Sequence, residues 1–399
     1  MRIAILTQPL RYNYGGILQN FALQIGLQKM GHEVLTLDPK RCHYRQWQYF
    51  RYSLYFWWRV LIFGHTKVGE KVEKRRFVLF SMDYILRHSL FRKLDWEILK
   101  NKCKDNETLL LGRNTFPFIN KHIRRQEYAN LYEEVLPDSF DAFVVGSDQV
   151  WRVEYNSNFL NMFLDFTKGW SVRRIAYAAS FGVDTWNVDA ELTEQCKQLL
   201  KQFDFVSVRE TSGVELCKDV FEVEAVHLLD PTLLLAKEEY ISLLHLDRVP
   251  RSKGNLLVYI LDYTDDKRKL IQQITNDCHL VPFRVNSDVE DYCLADISKR
   301  IQPPVEQWLR GFYDADYVIT DSFHACVFSI IFGKPFVVYA NNNRGNARFR
   351  SLLSQFSLTD CMVSSSEEFH GFSIYSKTTS EILNELREKS IGVLRSKLD

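Results

Sequence analysis

"ITDSFHACVFSIIFGKPFVVY", Ile319 to Tyr339, is mostly the inside of a protein. Together with the preceding Tyr317-Val318 it divides into a short apolar strand "YVIT", a polar turn at Asp321-Ser322, a helix beginning near His324 and ending before Gly333, and a second strand "FVVYA". The strands are continuous apolar runs rather than alternating ones, which suits a parallel sheet covered on both faces. Parallel neighbours need a crossover, and the apolar stretch after His324 supplies a helical one. His324 is therefore placed at the end of a strand and the start of a helix. It is either a buried filler or the chemistry of the molecule.

The same alternation extends in both directions. "RIAILTQ", "HEVLTLD", "FDAFVV" and "RRIAYAAS" read as strands of a first series. "FVSVRE", "AVHLLDP", "NLLVYILDY", "HLVPFRVN", "YVIT" and "FVVYA" read as a second. Helical patterns separate most of them, which predicts an α/β protein of two doubly wound, Rossmann-like parallel-sheet domains facing a cleft. The expected boundaries are an N-terminal domain at 1–190, with a basic aromatic helical insertion at about 41–136, a C-terminal domain at 191–375, and a terminal amphipathic helix at 376–399.

A length of 399 residues suits two domains, and 46% hydrophobic with 25% charged residues fits a globular chain rather than a disordered one. "MRIAILTQ" reads as a strand, not a secretory signal, and no apolar stretch reaches the roughly 18 residues that suggest a membrane span. The eight cysteines are scattered, without C-x-x-C pairs or zinc spacing, so free thiols in a reducing cytoplasm are expected and no metal site is. The net charge of +1 hides an asymmetry: residues 41–104 carry fifteen Lys/Arg against five Asp/Glu, interleaved with aromatics as in "HYRQWQYFRYSLYFWWRVLIFG". That segment either packs its aromatics on the domain body or contacts an anionic membrane surface. Nothing else in the chain resembles a nucleic-acid module.

In an open α/β sheet, ligands sit outside the carboxyl ends of the strands, so the polar residues just after each strand matter most. After the first strand, "RYNYGG" offers Asn13 and the tyrosines for a sugar, and Gly15 and Gly16 for close backbone approach, or it is a plain turn. It is not G-x-G-x-x-G, so it gives little support to a dinucleotide site. "GSDQVW" offers Asp148, Gln149 and Trp151, residue types suited to a carbohydrate, or a helix cap at Ser147 or Asp148. Arg209 follows "FVSV" and is either aimed at the cleft or engaged in a surface ion pair. At His324 the helix start favours an anion and disfavours an imidazolium, and a bound phosphate would favour the protonated ring instead. Lys334, and Arg344, Arg348 and Arg350 beyond it, complete a candidate cationic set around His324 for a small, multiply anionic substrate in the second domain.

Five stretches, in order, resemble the polysaccharide pyruvyl transferase family. They are "YNYGGILQNFALQ", "FVVGSDQVW", "IAYAASFG" with "VSVRE", "LLDPTLLL", and "TDSFHACVFSIIFGKPFVVY" with "NARFRSLL". The resemblance implies a fold like that of type-B glycosyltransferases. It also implies transfer of a pyruvyl group from phosphoenolpyruvate to two hydroxyls of one sugar, giving a cyclic ketal. Phosphoenolpyruvate is a co-substrate in this scheme, and no cofactor is needed. The acceptor is a surface polysaccharide sugar or its lipid-linked precursor, and the setting is the cytoplasm, with residues 41–104 as a candidate contact to the inner membrane face. His324 is then the acid/base. Arg209, Lys334, Arg348 and Ser322 belong to the donor site, and Asn13, Gly15, Gly16, Asp148 and Gln149 face the acceptor. In some members an arginine stands two residues before the histidine. Ser322 stands there here, so one donor contact is either missing or supplied from elsewhere, by Arg348 or Arg350. Two alternatives compete: a nucleotide-sugar glycosyltransferase of the same fold, and a non-catalytic carbohydrate-binding protein at a membrane surface.

Overall fold

A computed structural model of the chain describes residues 1–40, 108–156, 158–287, 297–341, 345–371 and 377–399. The basic aromatic segment at 41–104 and Arg344 lie outside the described residues.

The chain opens with β1 (Arg2–Leu6), α1 (Tyr14–Lys29) and β2 (Glu33–Pro39). There follow α2 (Phe116–His122), β3 (Arg125–Tyr128), α3 (Leu131–Glu134), β4 (Ala142–Val145) and β5 (Arg173–Ala179). Next come α4 (Ala190–Leu200), β6 (Phe205–Val208), α5 (Thr211–Asp219) and β7 (Val226–His227). These seven strands form one sheet, in the order β3-β2-β1-β4-β5-β6-β7. All of its pairings are parallel.

The second unit contains α6 (Lys237–Leu243), β8 (Leu256–Tyr259), α7 (Asp265–Cys278), β9 (Pro282–Phe283) and α8 (Val305–Asp314). It continues with β10 (Tyr317–Thr320), α9 (Phe323–Phe332), β11 (Phe336–Tyr339), α10 (Asn346–Gln355) and β12 (Met362–Val363), and α11 (Lys377–Leu398) closes the chain. Its sheet has the order β12-β11-β10-β8-β9, again parallel throughout. The expected α/β class, with two doubly wound parallel sheets, is what the chain forms.

Three expectations change. β6 and β7 join the first sheet, so the change of sheet falls after residue 227 rather than at 190. The terminal helix returns to the first sheet, where Leu394 and Leu398 pack with Ile3, Ile5, Leu23 and Val34. Within the supposed insertion, Arg125–Tyr128 is a strand that pairs with β2. It is an edge strand and only Tyr128 is buried, so its sequence carries no apolar run.

Helix α9 is buried at every position, as suits a helix that is hydrophobic all round. Gly333 ends it in the left-handed region (φ 66), where glycine carries no steric penalty. Helix α1 is nearly as buried because it is sandwiched. Leu23 and Leu27 face the first sheet, while Tyr14, Ile17 and Phe21 share a core with Trp308, Phe312 and Phe328 of the second unit. The Tyr14 ring stacks on Trp308 at 5.3 Å, and its hydroxyl donates to the carbonyl of Pro303 at 2.7 Å.

Candidate active site

Each sheet has one place where strand order reverses. In the first it lies between β1 and β4, and in the second between β8 and β10. Such switch points open a crevice at the carboxyl ends of the strands. Here the two are joined through the first turns of α1 and α9. A Cβ added at Gly15 would lie 2.0 Å from Nδ1 and 2.3 Å from Cγ of His324. The imidazole therefore occupies the space that any side chain at residue 15 would take. Gly15 and Gly16 are not in a loop, as "RYNYGG" suggests, but in the opening turn of α1.

The centre of the cluster is Arg209, 3% exposed, just beyond β6. Its Nη1 donates to Asp230 Oδ2 at 2.7 Å and its Nη2 to Asp148 Oδ1 at 2.9 Å. Burial works against its charge, but Asp148, Asp230 and Glu210 more than compensate and push its pKa up. Burial likewise opposes ionisation of both aspartates. In Asp230 it is outweighed by His324, Arg209 and a bond from Thr232, which hold the carboxyl far below the usual range. In Asp148, the charges of Arg209, His324 and Arg348 lower the pKa against burial. Glu210 differs: burial dominates and raises it, despite Arg209 and Arg348 nearby. Its Oε1 accepts from the amides of Phe181 and Gly182, at 2.9 and 3.3 Å.

Asp148 has left-handed backbone (φ 63), a conformation costing about 1 kcal/mol or more outside glycine. It is held by the amides of Val150 and Ser180, which donate to its carbonyl at 2.8 and 3.0 Å. Asn13 Nδ2 donates to Asp148 Oδ2 at 3.4 Å, and a Cβ at Gly16 would meet both side chains, at 3.3 and 3.5 Å. From the second unit, Phe323 presents its ring to two guanidiniums. The Arg209 Cζ lies 4.6 Å from the ring centroid and that of Arg348 lies 5.5 Å from it. Each contact falls within cation–π range. Burial and the neighbouring Arg209 bring Arg348 down to about 10. His324 Nε2 stands 3.7 Å from Asp230 Oδ2, an ion-pair separation rather than a hydrogen bond.

Asn13, Gly15, Gly16, Asp148, Arg209, His324 and Arg348 are thus gathered around one point. Ser322 is adjacent as the N-cap residue of α9, but its side chain makes no capping bond. Gln149 is half-buried at the margin, where its Oε1 accepts from Arg152 Nη1 at 3.1 Å. Lys334 is not part of the cluster. It follows α9 at the amino edge of the second sheet, roughly 15 Å of helix away. Its ammonium donates to the carbonyl of Tyr313 at 3.0 Å. Trp151, read as a flat face for a sugar, is fully buried and stacks on Phe163. Arg350 is exposed on α10. Arg209 belongs to the first unit, not the second, because β6 does.

Two members were missed. Asp230 sits inside "LLDPTLLL", and Glu210 directly follows Arg209. Both carboxyl groups lie just past parallel strands, the criterion used for the other residues. Their omission hid the charge balance: two buried guanidiniums meet three buried carboxyl groups, so the centre is not the strongly cationic site expected from its lysine and arginines.

Solved structures that resemble the chain include the glycotransferase of kitacinnamycin, at 12% identity and TM-score 0.43, covering 100% of this chain and 99% of that one. Another is UDP-GlcNAc 2-epimerase from Neisseria meningitidis, at 8% identity and TM-score 0.48, with the same coverage. A third, from Arabidopsis thaliana and complexed with UDP-L-rhamnose, shows 9% identity and TM-score 0.45 over 98% of this chain and 94% of that one. Likenesses of this size identify neither substrate nor reaction. No curated protein matches the sequence. A family model does: polysaccharide pyruvyl transferase fits residues 13–343, from the start of α1 to the segment after β11, and the chain belongs to that family.

Proposed function

We propose that the protein transfers the pyruvyl group of phosphoenolpyruvate to two hydroxyls of one sugar in a surface polysaccharide or its lipid-linked precursor, closing a cyclic ketal and releasing phosphate. The observation that carries this reading is the position of His324, in the first turn of α9 against Gly15 and 3.7 Å from a buried carboxylate, where both switch points meet. The reaction needs one proton delivered to carbon and one group able to recover it, and a histidine suits both.

In this scheme His324 protonates the methylene of phosphoenolpyruvate while the first sugar oxygen bonds to C2. That hydroxyl's proton passes to the phosphate, which departs as the C2–O bond breaks. The second sugar oxygen then bonds to C2, and its proton restores the histidine. Arg348 and the first-turn amides of α9, which the Ser322 side chain leaves uncapped, suit the donor's phosphate and carboxylate. Arg209 is already bonded to two carboxylates, so its part is to fix Asp148 and Asp230 more than to hold the donor alone. Asn13 and Asp148 lie on the α1 side and suit acceptor hydroxyls. Phosphoenolpyruvate as donor favours a cytoplasmic setting. Among the described residues, no helix is long and apolar enough to cross a membrane. A lipid-linked acceptor would bring the enzyme to the inner membrane surface, with residues 41–104 as the basic contact.

The test is acceptor-dependent phosphate release from labelled phosphoenolpyruvate across a panel of sugars. His324→Ala is expected to lose at least ~100-fold in rate while keeping its thermal midpoint. Near wild-type turnover in that variant, or turnover of a nucleotide sugar in place of phosphoenolpyruvate, would sink the reading.

A further inference from the structure

Asp230 is the N-cap of a short 3-10 turn, Pro231–Leu234, just beyond β7. An ionised carboxylate accepts about four hydrogen bonds, two per oxygen. Oδ1 accepts from the Thr232 amide at 3.0 Å and from its hydroxyl at 2.7 Å. Oδ2 accepts from Arg209 Nη1 at 2.7 Å. The Ser147 hydroxyl lies 3.3 Å from Oδ2, but its single proton has a better acceptor in the carbonyl of Ala178, at 2.6 Å. One accepting position on Oδ2 is left over. His324 Nε2 stands 3.7 Å from that oxygen, is buried, and has no hydrogen-bond partner. An open acceptor and an open ring nitrogen therefore face each other in a site where both groups are almost wholly buried: Asp230 is 2% exposed and His324 8%.

We propose that Asp230 is the positioning residue of His324: it accepts a hydrogen bond from Nε2–H, selects that tautomer, and leaves Nδ1 as the nitrogen that exchanges a proton with the substrate. The partner assignment follows from geometry, and its bearing on turnover rests on the proposed function. A small rotation of the imidazole closes the gap from 3.7 Å to hydrogen-bond length. The remaining groups around the ring fit the role. Gly15 of α1 gives the Nδ1 side backbone rather than a side chain to pack against. Asp148 is a second anion acting on the ring, while Arg209 and Arg348 gather at Phe323, whose ring meets that of His324 edge-on at 5.4 Å. Against the cost of burial, His324, Arg209 and the bond from Thr232 keep Asp230 ionised, as an acceptor must be. Asp230 also joins Arg209 to His324, so one carboxylate aligns the arginine and the acid/base group together.

The readout is the ring tautomer, by two-dimensional NMR of full-length protein carrying 15N-histidine, with His324→Gln assigning the signal. The neutral ring is expected as the Nε2–H form in the wild type. Asp230→Asn should raise the Nδ1–H share and lower kcat on the order of 100-fold, and Asp230→Glu should restore the tautomer. A wild-type ring in the Nδ1–H form overturns the proposal without any variant, and so does an unchanged tautomer in a folded Asp230→Asn protein. If the tautomers behave as expected but phosphoenolpyruvate is not turned over, the assigned reaction fails and the positioning role stands.

Discussion

Two buried ion pairs stand at the carboxyl edges of the two sheets. In the second sheet, Asp321 accepts from the amides of Leu261 and Asp262, at 2.7 and 3.1 Å, and from Lys267 Nζ at 2.7 Å. Lys267 also donates to the carbonyl of Asp262 at 2.7 Å and lies 5.1 Å from the Tyr339 ring centroid. Every strong valence of that pair is used. In the first sheet, Arg209 binds two aspartates, yet its Nε, Glu210 Oε2 and His324 Nε2 are buried without a hydrogen bond, at ion-pair separations of 3.9 Å between Arg209 Nε and Glu210 Oε2 and 3.7 Å between His324 Nε2 and Asp230. A saturated pair braces the β10–α9 turn. The unsaturated one carries a cost instead, about 1–3 kcal/mol for each buried polar atom left without a hydrogen bond.

The largest effect should come from the saturated pair. Lys267→Met leaves Asp321 buried without its cation, and a loss of about 3–5 kcal/mol in unfolding free energy is expected by denaturant titration. A loss below 1 kcal/mol would show that the pair is not a brace. Next is Gly15→Ala. The added methyl collides with the imidazole, so turnover should fall roughly 100-fold through misplacement of His324, with a smaller cost in stability. Unchanged turnover would mean that the ring position does not matter.

The smallest effect should sharpen the contrast by pH. Burial raises the Glu210 carboxyl, so the folded chain holds that proton more tightly than the unfolded chain does. Its contribution to stability therefore declines as pH rises from about 4.3 toward the folded value, and is constant beyond it. Gln does not titrate. The stability of Glu210→Gln relative to wild type should rise as the pH is raised above about 4.3. An offset independent of pH would contradict the assignment.

Much of this was legible in the sequence because parallel strands, crossovers and their terminal loops are local patterns. Ile319 to Tyr339 forms the strand, helix and strand read from it, with the helix bounds displaced by one residue at its start. What failed was spatial address. Nothing local in "FVSV" or "VH" says which sheet they join, and both join the first. Lys334 is close to His324 in sequence, but a crossover helix carries the chain to the opposite edge of the sheet, so nearness along it becomes separation. Asp230 gave a usable signal, a lone carboxylate at a strand end among leucines and a proline, hidden by the apolar character of its neighbours. Trp151 went the other way: its residue type suggested a surface for sugars, while its neighbours Phe163 and Phe181 form an aromatic core around it.

Helix α11 has a further consequence. Leu383 packs in the core shared by the two units, Arg387 Nε donates to the carbonyl of Leu233 at 2.7 Å, and Leu394 and Leu398 end in the core of the first unit. The backbone thus passes between the units twice, once after β7 and once on its return through α11. A single crossing is a swivel, free about several axes. Two crossings, together with the core that α1 shares with the second unit, tie the halves at more than one place. Gly15 and His324 face each other across that seam, so the position of the imidazole depends on how the two halves are held together.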